Sequence, residues 1–162
     1  MQHLFDEMEL LRAICLGTNT RCASRTVSNY ANALLRPLDL NVAQMTLLAV
    51  IAMRPEKTIA AMSENLMLSE STLTRNLTVL ERRGLVRSEG GRGRRGKQVE
   101  LTEEGVDLLE RGVEVWRQFN DTLAAEIEPV LLENGRRFLT AVTDAAERLG
   151  AQAGASRGGD DD

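Results

Sequence analysis

The chain has 162 residues, of which 43% are hydrophobic and 27% charged, and its formal net charge is −4. Length and composition are those of a globular protein with its own hydrophobic core, which excludes wholesale disorder. The longest apolar run, Leu47–Met53, has seven residues, far fewer than the roughly 20 of a membrane-spanning helix. Two cysteines and one histidine leave little for a disulfide framework, a metal site or histidine-based catalysis. We therefore expect a cytoplasmic protein with no membrane segment, metal or cofactor, and not an enzyme.

The charged residues are distributed unevenly along the chain. From Arg75 to Lys97 there are eight basic and two acidic residues, whereas nine acidic and two basic residues lie between Glu103 and Glu133. A local basic surface on an otherwise acidic protein suits binding to a polyanion. We therefore expect nucleic acid as a partner, the alternative being a solvated basic surface without one.

The first third of the chain predicts two helices. A long helix over about residues 7–35 ends before Pro37, because the residue before a proline is disfavoured in the helical conformation. Asn41 and Gln44 form a capping-box pattern at the start of a second helix, which ends near Met53.

Two shorter helices follow. Thr58 caps a third helix that runs through about Leu66, and Ser69 caps a fourth that runs to about Arg83. Gly84 is the glycine that commonly closes a helix. The third and fourth helices are separated by a short turn, as in a helix-turn-helix.

Two short β-prone segments, Leu85–Glu89 and Lys97–Leu101, come next, joined by four glycines and three arginines that predict a flexible hairpin tip. Helices followed by such a hairpin predict a mostly α-helical winged helix-turn-helix with a small β-wing. Gly91, Gly93 and Gly96 match the dinucleotide-binding pattern, but that motif opens a helix, whereas here a strand follows. The other alternative, a disordered RNA-binding segment, is disfavoured by the short length of the tip.

The last part of the chain predicts further long helices. Thr102 caps a helix whose apolar stripe extends from Val106 to Ile127. Pro129 and the Asn-Gly pair at 134–135 interrupt the pattern before a final helix. One central lobe cannot bury apolar stripes at both ends of the chain, so we expect a homodimer.

The fourth helix carries the residues that we expect to contact DNA. At about 100° per residue, Leu73, Leu77 and Leu80 fall on one buried stripe. The opposite face carries hydroxyl and guanidinium groups, which suit the major groove; its four side chains are Ser71, Arg75, Thr78 and Arg82. Hydroxyl residues at the helix start favour a phosphate; these are Ser69, Ser71 and Thr72. The alternative is an ordinary amphipathic surface helix.

The wing supplies a second set of candidate DNA contacts. Its basic side chains are Arg92, Arg94, Arg95 and Lys97. A mobile arginine-bearing tip that reaches phosphates and the narrow minor groove would explain why glycine and arginine occur together.

Four segments together resemble the MarR/SlyA family of winged-helix regulators. They are Leu38–Met45 (LDLNVAQM), Ser71–Arg75 (STLTR), Leu80–Val86 (LERRGLV) and Val99–Gly105 (VELTEEG). The resemblance covers roughly residues 10–149. It implies a homodimer, built from the first and last helices, on a pseudo-palindromic operator in double-stranded DNA. It also implies a ligand pocket between the dimer helices and the DNA-binding lobe.

Many members of this family are repressors that small aromatic acids or thiol oxidation release. The resemblance therefore implies a sequence-specific repressor with a small aromatic or electrophilic effector, or with a sensing thiol. The alternative is a non-sensing winged-helix protein that shapes DNA or binds RNA.

The resemblance also predicts the domain organisation. We expect one domain over residues 1–149, with dimerisation helices over about 7–35 and 103–149, a DNA-binding lobe over about 41–101, and a disordered acidic tail over 150–162. In this family the wing usually carries Asp-x-Arg, and Gly93 and Arg95 stand at these positions here. Without the aspartate we expect a loosely held wing.

Cys15 and Cys22 are candidate sensing residues on the predicted first helix. Seven residues correspond to about 10.5 Å along a helix axis, too far for an intrahelical disulfide. Oxidation would have to act between subunits or through a sulfenic acid; the alternatives are simple packing and electrophile or metal sensing. Trp116 and four methionines lie at helical spacings among aliphatic residues and are expected to pack in the core or, alternatively, to line an apolar pocket. The methionines are Met45, Met53, Met62 and Met67.

Overall fold

A computed structural model of the chain describes residues 1–53, 62, 63, 66, 69–89 and 98–157. The elements in chain order are α1 (Gln2–Ile14), α2 (Leu16–Leu35), a 3-10 turn (Arg36–Leu38), α3 (Val42–Met53), α4 (Glu70–Arg82), β1 (Val86–Glu89), β2 (Gln98–Leu101), α5 (Glu103–Ala125) and α6 (Pro129–Arg157). This is the mostly helical architecture with a two-stranded antiparallel wing that the sequence predicts.

The predicted first helix is two helices. The backbone leaves the helical conformation at Cys15 (φ −70°, ψ 106°), so α1 ends at Ile14 and α2 begins at Leu16. The prediction of one continuous helix is wrong here because the chain breaks without a proline. Gly17 and Thr18, just after the break, are poor helix formers. The Thr18 hydroxyl donates a hydrogen bond to the sulfur of Cys15, the residue at the break.

The start of α3 confirms the predicted capping box. Asn41 Oδ1 accepts a hydrogen bond from the Gln44 N–H at 2.9 Å, and Gln44 Oε1 accepts one from the Asn41 N–H at 3.1 Å. Two otherwise unpaired amide groups are thereby satisfied. The Val42 N–H donates to Asn32 Oδ1 at 2.8 Å, which ties α3 to α2.

The core lies around α3. Leu47 and Leu48 of α3 are fully buried and pack against side chains of α2, α4 and the wing. Each such leucine contributes roughly 1.5–3 kcal/mol by its removal from water. Of the predicted third helix, the described residues Met62, Ser63 and Leu66 are helical, and Met62 is buried in this core.

α4 and the wing are joined by a sharp turn. Gly84 has a positive φ of 69°, a conformation that glycine adopts without strain. Val86 of β1 then pairs with Leu101 of β2. The tip residues 90–97 lie outside the described residues.

α6 is longer than the sequence predicts. It begins at Pro129, a residue favoured in the first helical turn, and it continues through 134–135 without interruption. The predicted boundary at residue 150 is also wrong, because the helix runs on to Arg157. Alanines at 151 and 153 favour this extension. Residues 158–162 of the predicted tail lie outside the described residues.

The chain forms two compact units, Met1–Phe119 and Asn120–Asp162, so the division falls inside α5. The first contains the core and the wing, and the second contains α6. Within the described residues no single helix is long and apolar enough to cross a membrane. One pair of consecutive helices, Leu16–Leu38 and Val42–Met53, meets the length and composition of a membrane span when the two are taken together, although they are bent by 74° relative to each other. The second helix of this pair supplies buried residues of the core.

Candidate nucleic-acid interface

The orientation of α4 matches the predicted one. Leu73 and Leu80 are completely buried and Leu77 is 4% exposed, while Ser71, Arg75 and Arg82 on the opposite face are exposed. Thr78 differs, because it is half-buried and its hydroxyl donates to the Thr74 carbonyl at 2.9 Å. The outward face therefore presents a hydroxyl and two guanidinium groups.

A cluster of hydroxyl groups surrounds the start of α4. Ser69 is the N-cap, and its Oγ accepts from the Thr72 N–H at 3.2 Å. The same Oγ lies 3.0 Å from Ser71 Oγ and 2.8 Å from Thr72 Oγ1. Unpaired amides and the helix dipole make such an end favourable for an anion. All three residues are exposed, so a phosphate has access to them.

A groove of about 940 Å³ runs beside this face, lined by residues of α2, α3 and α4 and by Leu66. Arg75 borders it together with Asn32, Gln44 and Asn76. Asn76 was not among the predicted contacts, because its position places it at the edge of the buried leucine stripe. Its side-chain amide donates to the Thr72 carbonyl at 2.9 Å.

Side-chain contacts join the strands of the wing to α4 and to each other. Ser88 Oγ donates to the Glu81 carboxylate of α4, and Arg87 on β1 pairs with Glu100 on β2 at 3.0 Å. The predicted contacts Arg92, Arg94, Arg95 and Lys97 all lie outside the described residues.

Arg83 has a position that its place in the basic segment does not suggest. Its guanidinium turns back to the 3-10 turn, where it donates to the carbonyls of Asp39 and Leu38. Its side chain is 26% exposed. Counting charges could not find this role, because the sequence does not reveal in which direction an arginine points.

Cys15 is the N-cap residue of α2 and its side chain is exposed. The Thr18 hydroxyl donates to the Cys15 sulfur at 3.4 Å. This hydrogen bond and the backbone amide of Thr18, with lesser help from the Gly17 amide and the charge of Arg21, lower the pKa of the Cys15 thiol against an opposing effect of desolvation. Cys22 is also exposed, farther along α2.

Cys15 opens into an apolar cleft of about 540 Å³ between α1 and α2. Phe5, Met8 and Leu11 provide its apolar lining, and the charged side chains of Glu9 and Arg12 also line it. Among the described residues, no group of three or more histidine, cysteine, aspartate or glutamate side chains could hold a metal ion.

A second, smaller apolar pocket of about 320 Å³ lies between α3 and α5. Met45 and Trp116 line it, and Arg117 stands at its edge, paired with Glu114 at 2.7 Å. Trp116 also packs on the core and lies 5.5 Å from the Phe119 ring. Both expected roles, core packing and pocket lining, are therefore observed for Met45 and Trp116, and Met62 is buried in the core. The expectation is wrong for Met53, which is 70% exposed because it lies at the end of α3, and Met67 lies outside the described residues.

Comparison with known proteins agrees with this geometry. The model of the MarR family matches residues 38–96. The crystal structure of MosR, a transcriptional regulator of M. tuberculosis, is 31% identical, superposes with a TM-score of 0.76, and the match covers 85% of this chain and 98% of MosR. The chain belongs to the MarR family. It is a winged-helix transcriptional regulator that binds DNA, as the sequence predicts.

Two further proteins are similar to this chain. A structure of MosR in complex with DNA is 33% identical, with a TM-score of 0.71, and the match covers 83% of this chain and 98% of that one. An organic hydroperoxide resistance transcriptional regulator of Bacillus subtilis is 29% identical over 116 residues, which are 71% of this chain and 78% of that relative.

Proposed function

We propose that this MarR-family protein is a homodimeric repressor that binds a pseudo-palindromic operator and is released when Cys15 is oxidised. One observation carries the release mechanism. The Cys15 thiol is exposed, its pKa is lowered by the Thr18 hydroxyl, and it opens into an apolar cleft. A thiol with these three properties is a better nucleophile at neutral pH than a buried structural cysteine.

The oxidant that fits this cleft is an organic hydroperoxide. The Cys15 thiolate attacks one peroxide oxygen, the O–O bond breaks, and the alkoxide leaves as an alcohol after taking up a proton. Sulfur is oxidised by two electrons to a sulfenic acid and the peroxide is reduced. Phe5, Met8 and Leu11 would favour an apolar substituent over hydrogen peroxide. The name of the Bacillus subtilis relative supports this class of oxidant.

The dimer is inferred from apolar side chains that the single chain leaves in water. Leu10 on α1 is 63% exposed and Phe138 on α6 is 50% exposed. Other large apolar residues on these two helices that do not line the Cys15 cleft are more than half exposed: Leu4, Ile14, Val130, Leu131, Leu139 and Leu149. Exposed apolar surface of this extent is typical of an interface between subunits.

The DNA contacts that we propose follow from α4 and the wing. Arg75 and Ser71 would enter the major groove, and Ser69 and Thr72 would hold a phosphate at the helix start. Thr78 and Arg82 belong to the same proposed surface. The basic residues of the tip, Arg92, Arg94, Arg95 and Lys97, would neutralise phosphates beside the minor groove. A regulator that binds a genome would act in the cytoplasm, which we propose as its location.

Two measurements test this function. Selection from random-sequence duplexes should enrich a pseudo-palindrome with half-sites about one helical turn apart. Trapping with a sulfenic-acid reagent after one equivalent of cumene hydroperoxide should label Cys15 and leave Cys22 unlabelled. Recovery of RNA in preference to duplex DNA, or of DNA without a shared sequence, would instead favour the non-sensing alternative.

Release by a small molecule is a second candidate, favoured by the pocket between α3 and α5. Trp116 offers an aromatic wall and Arg117 a cation, a combination that suits an aromatic carboxylate. Salicylate titrated into the operator complex distinguishes the candidates. Release that is lost in Arg117→Ala and kept in Cys15→Ser supports the ligand, whereas no release at millimolar salicylate excludes it.

A further inference from the structure

One side chain links the end of α4, the proposed recognition helix, to the 3-10 turn that follows α2. Arg83 is the C-cap residue of α4. Its guanidinium donates to the Asp39 carbonyl and, at 3.3 Å, to the Leu38 carbonyl. It also lies 3.7 Å from the Asp39 carboxylate. The contact spans more than 40 positions in sequence, so it is a genuine link between separate elements.

The backbone that receives Arg83 is a rigid continuation of α2. The 3-10 turn follows α2 directly, and Asp39 closes it in the left-handed conformation. The Asp39 N–H donates to the Arg36 carbonyl at 2.9 Å, and the Leu40 N–H donates to the Leu35 carbonyl at 3.4 Å. Because these bonds fix the turn to the helix, a displacement of α2 must displace the carbonyls that Arg83 holds.

The carbonyl contacts contribute most to this clamp. Asp39 is 92% exposed, so its carboxylate is screened by water and adds little. Arg83 is only 26% exposed, and hydrogen bonds between a charged donor and carbonyls at a helix C-terminus are stronger than neutral ones. Lysine cannot reproduce the forked geometry that reaches two carbonyls.

The two ends of α2 therefore carry two different groups. Cys15 is its N-cap, and the 3-10 turn held by Arg83 follows its last residue, Leu35. The helix between them has 20 residues and is therefore about 30 Å long. A displacement of α2 at its Cys15 end would also move the turn that Arg83 holds, without any unfolding of the helix.

We propose that Arg83 is a positioning residue that transmits the position of α2, and with it the oxidation state of Cys15, to the recognition helix. This inference rests on the proposed function, because it names the route by which that function is regulated. Arg83 does not touch DNA in this account. It acts by setting where α4 lies, and helix displacements of about 1–2 Å are sufficient for switching in other proteins.

The test compares Arg83→Lys with a matched control, Arg111→Lys. Arg111 is an exposed arginine that lines the same surface depression as Arg83. For each protein, operator affinity is measured before and after cumene hydroperoxide, with sulfenic-acid labelling of Cys15 and a melting curve in parallel. In wild type and Arg111→Lys we expect oxidation to reduce affinity about 10-fold or more, within the range of typical allosteric couplings.

In Arg83→Lys we expect reduced-state affinity about 5-fold lower and an oxidation response of less than about 2-fold, with unchanged labelling of Cys15. A response equal to that of wild type would overturn the inference and leave the proposed function intact. Wild type that is labelled at Cys15 yet keeps its operator affinity would overturn both.

A measurement on wild type keeps the inference testable if Arg83→Lys does not fold. Hydrogen exchange is followed in peptides that cover 36–40 and 82–86, before and after oxidation. Because Arg83 couples the two segments, we expect their exchange rates to change together once Cys15 is oxidised. Unchanged exchange at 82–86 in a protein that has released its operator would overturn the inference.

Discussion

The hydroxyl of Thr102 donates a hydrogen bond to the carbonyl oxygen of Gly84, with 2.6 Å between the two oxygens. Thr102 precedes the first residue of α5, and Gly84 follows the end of α4. The Thr102 N–H also donates to the Leu85 carbonyl at 3.1 Å. The recognition helix is thus fixed at one end to α5 by these bonds and to α2 by Arg83.

The close approach at this junction predicts a large effect of a single methyl group. A Cβ at Gly105 would lie 2.0 Å from the Leu85 carbonyl oxygen, which belongs to the backbone and cannot rotate away. We expect Gly105→Ala to lower the free energy of unfolding by about 3 kcal/mol. Urea denaturation measures this.

Gly112→Ala is the matched control on the same helix. Its Cβ would meet the Met45 sulfur at 2.5 Å, and this side chain is flexible. We expect a loss of about 1 kcal/mol or less. Equal losses in the two variants would show that the junction at Leu85 is not a tight contact.

Arg75 is predicted to read a base rather than a phosphate. It is exposed on the outward face of α4, and a bidentate contact to guanine discriminates by roughly 1–3 kcal/mol. Arg75→Ala should lower operator affinity and relax the preference at one position in each half-site. Arg75→Lys keeps the charge and should lose the preference while retaining binding to random duplexes. If both variants keep the preference, Arg75 is a phosphate contact.

The wing is predicted to act mainly through charge. Neutralising phosphates does not require a fixed geometry, whereas reading groove width does. Arg94→Ala and Arg95→Ala should each weaken binding to operator and random duplexes by similar factors, and reduce the salt slope by about one. Gly93→Asp should orient Arg95 and improve discrimination. If Gly93→Asp only weakens binding, the wing is a plain electrostatic arm.

The pKa of Cys15 depends on Thr18. Because the hydroxyl of Thr18 stabilises the thiolate, Thr18→Val should raise the Cys15 pKa. Alkylation by iodoacetamide should then be slower at neutral pH and should reach the wild-type rate above both pKa values. Thr20→Val is the control, since its hydroxyl donates to the Leu16 carbonyl and not to sulfur. Equal pH profiles for Thr18→Val and wild type would contradict this account.

The homodimer is tested by sedimentation of the full chain. The apolar side chains left exposed on α1 and α6 should hold two copies together at micromolar concentration. A folded monomer at that concentration would exclude both the dimer and a pseudo-palindromic operator read by two copies.

Periodicity and capping chemistry were sufficient to predict α3 and α4. Leu73, Leu77 and Leu80 are buried because their spacing places them on one side of a helix. The caps at Asn41 and Ser69 could be predicted because their side chains bond to amides three residues away. Local rules of this kind do not depend on the rest of the fold.

The features that the sequence did not predict depend on contacts or context that local patterns do not contain. The break at Cys15 has no proline to mark it. Arg83 appears in sequence as one more cation of a basic segment, and only the fold brings Asp39 within its reach. The extension of α6 to Arg157 passes through Gly150, which on its own suggests a helix end.

In the mechanism that we propose, oxidation of one thiol releases this regulator from its operator. The decisive measurement is the fluorescence anisotropy of a labelled operator duplex, saturated with reduced protein, during titration with cumene hydroperoxide. For wild type and Cys22→Ser we expect the anisotropy to fall to that of free DNA near one equivalent per chain, and a thiol reductant should restore binding. For Cys15→Ser the anisotropy should stay high. If it falls equally for Cys15→Ser, or never falls for wild type, oxidation of Cys15 does not release the operator.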